Sequence, residues 1–358
     1  MRFVFKTDYD QDIHLVKHGG QAFWYGLLML ALLAAPWSVG DYWLTQLAFI
    51  LIYSIAGLGL MVLAGFTGLA SLGHAAFLGV GAYTQAFLLG HGWPFVLSLP
   101  AAAALSAAVG VVVGLPALRV KGIYLAIATL AFGFIVEEVL ARWESVTGGN
   151  SGRNVPGVSL FGWQIGSGAG FYYVCLVLCV LATLGVLNLL RSNTGRAFIA
   201  IRDSEISAQS MGIALARTKT LAFAISAALT GVAGALYAHK LAFIAPDQFG
   251  ALQSIELLLI VVVGGLGSLH GAFLGAIFLI ALPQLIAIAK DWLPPAIGQA
   301  SGLQALIYGV VLVGIVLFEP MGLYGRWLKI RTYLQLFPFY RRGLFKRQKA
   351  FAKSEQVR

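Results

Sequence analysis

Four stretches of this chain contain no Asp, Glu, Lys or Arg: those between Asp41 and Arg119, Arg153 and Arg191, Glu256 and Lys290, and Asp291 and Glu319. About 20 apolar residues span a bilayer core, and a Lys or Arg at its centre costs about 2.5 to 3.5 kcal/mol on insertion scales. Each block is therefore expected to hold one or more membrane spans. Charged residues make up 11% of the chain and hydrophobic ones 59%, whereas soluble domains carry roughly 25% charged residues. The expected fold class is an all-α polytopic integral membrane protein.

Cutting at charges, Gly/Pro clusters and interfacial Trp places about ten transmembrane helices, over residues 22–37, 43–64, 69–90, 95–116, 122–141, 171–190, 219–238, 253–267, 272–289 and 301–318. Eight is the lower bound. With ten, both termini lie on one side, and Lys and Arg divide 20 to 4 between the two faces. The basic face is expected to be cytoplasmic. It holds an N-terminal segment over residues 1–21, a loop over 191–219, and a tail over 321–358. The opposite, periplasmic face holds the longer loop over 142–170, with Trp143 and Trp163. That loop has the size of a docking surface for another protein, or of an ordinary solvated loop. Residues 22–320 form the transmembrane domain between these ends.

The first 21 residues mix Asp8, Asp10 and Asp12 with Lys6 and Lys17, too acidic and too long for a usual leader, so the first apolar stretch is read as a retained span. From Arg326 onward ten basic residues face Glu355 alone. Contact with anionic lipid headgroups accounts for such a tail without nucleic acid. Cys175 and Cys179, the only cysteines, stand four apart on one helical face and read as small apolar packing rather than as a redox or metal site.

Two glycine-rich strings interrupt the apolar pattern. GFTGLASLGHAAFLGVGAY over residues 65–83 carries glycines at 65, 68, 73, 79 and 81, each costing about 1 kcal/mol relative to Ala inside a helix. Around residues 79–82 small residues suit close helix packing. Earlier, Thr67, Ser71 and His74 among the glycines favour a broken helix lining a pathway. SLHGAFLG at 268–275 echoes SLGHAAFLG at 71–79, and such internal echoes mark the transport site in many carriers. His74 and His270 fall near the same place in the two strings. A satisfied structural hydrogen bond and a role in proton relay or ligand contact are the two readings for each.

There is no G-x-x-x-x-G-K-[ST] string with which to hold nucleotide phosphates, so this chain is expected to bind no ATP and to be no enzyme. The carboxylates lie toward span ends: Glu138 is spaced to pair with Arg142, and Glu256 opens the eighth stretch. A carrier driven by protons needs ionisable groups well inside the bundle, and only His74 qualifies. Energy is expected to come from another subunit, with an ion-coupled carrier as the alternative.

The remaining polar feature is RSNTGRAFIAIRDSEISAQSMGIALARTK over residues 191–219. Asp203 or Ser204 can cap a helix that carries Glu205 in its first turn and ends near Gly212. Ile206, Met211 and Ile213 supply apolar contacts, flanked by Arg196, Arg202 and Arg217. Such a helix lies on lipid headgroups or seats in a groove of a cytoplasmic motor domain.

Together with LRVKGIYLAIATLAFG at 118–133, TGGNSG at 147–152 and SIELLLIVVVGGLGSLHGAFLGA at 254–276, these strings make the chain resemble the permease subunits of ABC importers for branched-chain amino acids, in particular the M-type permease. The resemblance runs from about Tyr53 to Tyr324. It implies a bacterial inner-membrane location, a homologous second permease, two ATPase subunits that bind the ATP, and a periplasmic substrate-binding protein. It implies that Arg202, Asp203, Ser204, Glu205, Gln209, Met211 and Gly212 form the ATPase-coupling element. Thr67, Gly68, Ser71, Gly73, His74, Thr129, Gly264, Gly265 and Ser268 would border the translocation path. The importer coupling pattern Glu-Ala-Ala-x-x-x-Gly is not matched, since Ile206 and Ser207 follow Glu205. The solute is left open, because relatives of this family carry urea and other small molecules.

Overall fold

The computed structural model describes residues 19–116, 120, 122–160, 163–165, 168–290, 302–319 and 321–336. The expected segment before residue 19, Arg119 and Lys121, and the tail beyond 336 lie outside the described residues. An apolar chain in lipid has no water to take its N–H and C=O groups, so it pairs them internally as helix. The helices in order are α1 (Gly19–Ser38), α2 (Asp41–Leu60), α3 (His74–Gly90), α4 (Phe95–Gly114), α5 (Ile123–Arg142), the single turn α6 (Glu144–Thr147) and α7 (Ala169–Arg191). There follow α8 (Asn193–Asp203), α9 (Glu205–Ser210), α10 (Leu215–Leu241), α11 (Ala251–Gly264), α12 (Leu269–Lys290), α13 (Leu303–Phe318) and α14 (Gly322–Leu336). A π-helix over Met61–Phe66 prolongs α2.

Among the described residues, seven helical segments are long and apolar enough to cross a membrane, or eight if α13 and α14, bent by 55°, count as one span. The sequence expectation was ten. On their own α3 and α13 fall short, and the apolar part of α1 is confined to Ala22–Ser38. The shortfall in α3 has a local cause. Its 17 residues rise about 26 Å at 1.5 Å each, against a core of roughly 30 Å, because the chain from Thr67 to Gly73 is not helical.

The bundle is organised around α10, which packs on α4, α3 and α2. Small residues make this possible. A Cβ added at Gly234 would lie 2.0 Å from the Leu78 carbonyl oxygen, and one added at Gly81 would lie 2.2 Å from that of Gly231. Backbones therefore touch backbones, as expected where helix association in lipid relies on dispersion and not on the expulsion of water. Cys175 and Cys179 are free, buried thiols on α7 and belong to the apolar core.

Pro36 lies inside α1 and has no N–H to give the Leu32 carbonyl four residues back. Tyr172 on α7 donates its hydroxyl to that oxygen at 2.9 Å, and Tyr173 does the same for Leu33 at 2.9 Å. The loop over 142–170 is tied down by two short ribbons. Strand β1 (Arg153–Asn154) pairs antiparallel with β4 (Phe243–Ile244), and β2 (Val158–Leu160) with β3 (Trp163–Ile165). Arg153 donates to the Val146 carbonyl and lies over the Phe87 ring, 5.4 Å from its centre. At the opposite end of the bundle, Arg326 and Lys329 of α14 donate to Glu319 and hold its carboxyl below the usual carboxylate range.

Gly234→Leu forces a side chain onto the Leu78 backbone, which cannot swing aside. It is expected to destabilise the bundle by about 1–3 kcal/mol, the usual cost of overpacking, read as a lower melting temperature in detergent. Gly185→Ala, whose added Cβ meets nothing within 4 Å, should keep or slightly raise that temperature, since Ala is favoured over Gly in a helix by about 1 kcal/mol. Equal melting temperatures would contradict the close approach.

Candidate functional site

The first glycine-rich string leaves helical geometry at Thr67 and regains it at His74. Such an interruption strands backbone groups, and several of them find partners inside the protein. Thr67 Oγ1 donates to the Val62 carbonyl at 2.9 Å and the Leu69 N–H reaches the Leu63 carbonyl at 3.1 Å, closing the end of the π-helix. Leu72 N–H donates to Thr129 Oγ1 of α5 at 3.0 Å, and that hydroxyl donates to Ala126 O at 2.9 Å. Gly73 sits so close that a Cβ there would lie 2.0 Å from the Thr129 carbonyl oxygen. At the start of α3, Ala75 N–H donates to Ser254 Oγ of α11 at 3.0 Å.

His74 links this interruption to α10. Its Nδ1 lies 2.9 Å from Ser71 Oγ and its Nε2 lies 2.7 Å from Ser226 Oγ, while Ser226 Oγ donates to the Gly59 carbonyl at 2.6 Å. A hydroxyl has one proton, and Ser226 spends it on Gly59, so it must accept from His74 Nε2–H. Nδ1 then accepts from Ser71. This directed chain, Ser71 to His74 to Ser226 to Gly59, uses both ring nitrogens, the arrangement of a satisfied structural histidine. Thr67, Ser71, His74, Thr129, Ser226 and Ser254 are all buried.

The second string separates α11 from α12. Ser268 caps α12, its Oγ accepting from Gly271 N–H at 3.0 Å and donating to Gly265 O at 3.0 Å. An added Cβ at Gly264 would stand 1.9 Å from the Gly271 carbonyl oxygen, so the two helices meet backbone to backbone. His270 differs from His74 despite its matching place in the echo. Its Nε2 is 2.8 Å from Tyr25 Oη, and its ring stacks on Tyr324, centroids 5.2 Å apart and planes within 4°.

The polar segment forms two helices instead of one. Ser192 caps α8, accepting from Gly195 N–H at 3.3 Å, and Ser204 caps α9, accepting from Ser207 N–H at 3.2 Å. Helix α9 ends at Met211 and Gly212, the latter at φ +84°. Glu205 turns inward and accepts from Lys219 Nζ at 2.7 Å, with the Lys219 side chain 2% exposed. Ile206 and Met211 turn outward, 80% and 85% exposed, and Gln209 is exposed beside them. Arg202, last but one in α8, reaches the first string: its Nη1 donates to the Gly65 carbonyl at 3.3 Å.

Thus the structure draws Ser71, Gly73, His74 and Thr129 together at one buried interruption, leaves Thr67 closing the π-helix before it, and sets Gly264, Gly265 and Ser268 at a second turn. Gly68 is exposed at the end of the bundle, facing Arg202. Sequence reasoning missed Ser226 and Ser254, whose only signal was a polar residue in a largely apolar helix, and missed that Lys219, the last residue of the polar segment, turns inward to Glu205. Among the described residues no cluster of His, Cys, Asp or Glu could hold a metal ion. A surface hollow lined by Glu138, Val139, Arg142 and Trp143 lies at the other end of α5 from Thr129, and the expected Glu138–Arg142 pair forms beside it.

Long apolar helices joined through buried polar turns, with a braced pair of polar helices at one end, define a multi-pass membrane protein. Residues 41–318 match the family described as "Branched-chain amino acid transport system / permease component". The chain belongs to that family and is an ABC-importer permease subunit, a transport component and not itself an enzyme. It is 36% identical over 327 residues to the high-affinity branched-chain amino acid transport system permease protein LivM of Escherichia coli, covering 84% of this chain and 74% of that protein. Identity to LivM of Salmonella typhimurium is 35% over 299 residues, 76% of this chain and 68% of the relative. A more distant relative is the autoinducer 2 import system permease protein LsrC of Enterobacter, 28% identical over 239 residues, 64% of this chain and 65% of the relative. No solved structure matches the chain.

Removing His74 leaves a cavity, strands the buried Ser71 hydroxyl and leaves the Ser226 hydroxyl with its bond to Gly59 alone. His74→Ala is expected to cost about 2–5 kcal/mol, and Ser226→Ala about 1–3 kcal/mol, in unfolding measurements on the detergent-solubilised protein. Because the two act in one chain, the double variant should cost clearly less than the sum. Strict additivity would show that they are independent.

Proposed function

We propose that this chain forms half of the translocation pathway of an ABC importer for branched-chain or other small amino acids. In this reading a homologous second permease supplies the other half, two ATPase subunits bind and hydrolyse the ATP, and a periplasmic binding protein delivers the solute. The chain itself binds no ATP. The location is the bacterial inner membrane. Helices α1, α3 and α13 also cross, giving ten spans with both termini in the cytoplasm, as the 20 to 4 division of basic residues favours. Names of the relatives support the solute class, since LivM proteins of three species carry the branched-chain designation.

The observation that carries the coupling role is the two-faced character of α9. Its inner face is fixed by the Glu205–Lys219 ion pair and by buried Ala208, while Ile206 and Met211 are left almost fully exposed. A partner groove that covers these two side chains would gain roughly 1.5–3 kcal/mol from each. The ATPase contact is therefore assigned to Ile206, Gln209 and Met211, with Gly212 allowing the sharp exit from the helix. Ser204 fixes where α9 begins, Arg202 and Glu205 reach Gly65 and Lys219 of the permease, and the exposed Asp203 pairs with Arg202. The buried Ser71–His74–Ser226 chain and Thr129 support a role for the two interruptions as the points where the bundle reshapes around the path.

Met211→Asp and Ile206→Asp place a carboxylate in that groove. Each is expected to lower ATP-driven leucine uptake by at least about tenfold, the loss of one buried apolar contact or more, with unchanged amounts in the membrane and reduced co-purification of the ATPase subunits. Normal uptake by well-inserted variants would overturn the docking role. Glu205→Arg is a less clean probe, because it sets a second cation against the buried ammonium of Lys219 and is expected to unseat α9 altogether. Leucine accumulation by the purified chain alone under an imposed proton gradient, without ATPase subunits, would overturn the importer reading.

A further inference from the structure

We propose that Arg202 is the positioning residue through which movement of the polar helices reaches both glycine-rich interruptions, an inference that rests on the importer reading above. The last carbonyls of a helix have no partner within it. In the π-helix that ends α2, Thr67 and Leu69 take the Val62 and Leu63 oxygens. The Gly65 oxygen is taken by Arg202 from a different part of the chain, 137 residues away. Cations at helix C-termini are favourable partners for these oxygens, so α8 supplies the cap that α2 lacks.

The guanidinium is oriented for this. Its Nε and Nη2 lie 3.1 and 3.0 Å from Asp203 Oδ1, which leaves Nη1 for Gly65. The stem runs against Gly68, where an added Cβ would lie 3.0 Å from Arg202 Cγ at φ +75°. The head lies beside Gly267 in the turn between α11 and α12, where a Cβ would meet Nη1 at 3.2 Å, also at positive φ. Gly267 in turn donates its N–H to Met61 Sδ at 3.3 Å. Two strings nearly 200 residues apart in sequence therefore converge on one side chain. Behind it, Phe198 and Ile201 are buried, so α8 moves with Arg202 as one body. A planar guanidinium presents five N–H donors in a rigid fork and so fixes Asp203 and Gly65 in one plane, whereas a lysine ammonium is a mobile point charge on a flexible stem.

The test uses the full complex, permease with its ATPase subunits and binding protein, reconstituted in proteoliposomes with leucine as the transported probe. Arg202→Met keeps the stem and removes the fork. The expected result is an intact complex that still hydrolyses ATP, with the ATP consumed per leucine transported raised by about tenfold or more, the scale of losing a charge-assisted hydrogen bond. Arg202→Lys should recover part of the ratio, and Asp203→Asn should raise it by a smaller factor. Hydrogen exchange on the same complex should show faster exchange in residues 65–71 and also in 264–268 for Arg202→Met. An unchanged ratio, or loosened exchange at neither interruption, overturns the proposal while the importer reading stands. So does loss of the ATPase subunits from the variant complex with unaltered exchange, which would make Arg202 part of the docking face. Wild-type complex that moves leucine without ATP would overturn the importer reading instead.

Discussion

No water lies within the hydrocarbon layer to satisfy a backbone group that a helix has released, and this requirement shapes the whole molecule. The protein loses a helical hydrogen bond at Pro36 within α1, and departs from α-helix at the π-helix before Thr67 and in the turn after Gly265. At each place a side chain supplies what the backbone has lost: Tyr172 for the Leu32 carbonyl, Thr67 and Arg202 for the end of α2, Ser268 for the start of α12. An unmade hydrogen bond in such surroundings costs several kcal/mol. The interruptions persist because other elements of the bundle hold them.

Glycine then plays two different parts. Around α10 it removes bulk, so that α3, α4 and α10 approach to backbone contact at Gly81, Gly231 and Gly234. That region has no room to deform gradually. At Gly68 and Gly267 it permits a positive φ beside the Arg202 side chain, where the chain turns and helices end. The helices are thus packed backbone to backbone around α10, and the turns between them are held by polar contacts from other elements.

The buried Lys219 shows why both halves of the polar segment are needed. An ammonium out of water is tolerable only when paired, and its partner Glu205 sits on α9, fourteen residues earlier. The pair fixes α9 against the base of α10 and so decides which face is left outward. Ile206 and Met211 are exposed for that reason, and the short helix presents apolar side chains at a polar end of the molecule.

The amino-acid sequence by itself determined the membrane class, because long charge-free runs have no other stable home. It also located the helices to within a few residues and narrowed the α9 cap to Asp203 or Ser204, of which the structure uses Ser204, since both follow from side-chain chemistry within one turn. Within the two glycine strings only residues 67–73 and 265–268 are non-helical, while 74–83 and 269–276 belong to α3 and α12. What Ser226, Ser254 and Lys219 do was not legible, because each answers to a group on a different helix and a lone serine in an apolar run carries no signal of its partner. Among the described residues seven helical segments, or eight with the bent pair, are long and apolar enough to cross a membrane, because α3 begins only at His74 after the non-helical residues 67–73. The tertiary structure alone decided that His74 is committed on both nitrogens, that Glu205 points inward, and that the two interruptions meet on Arg202. These depend on contacts between residues far apart in the chain, and such contacts come into being only when the helices pack.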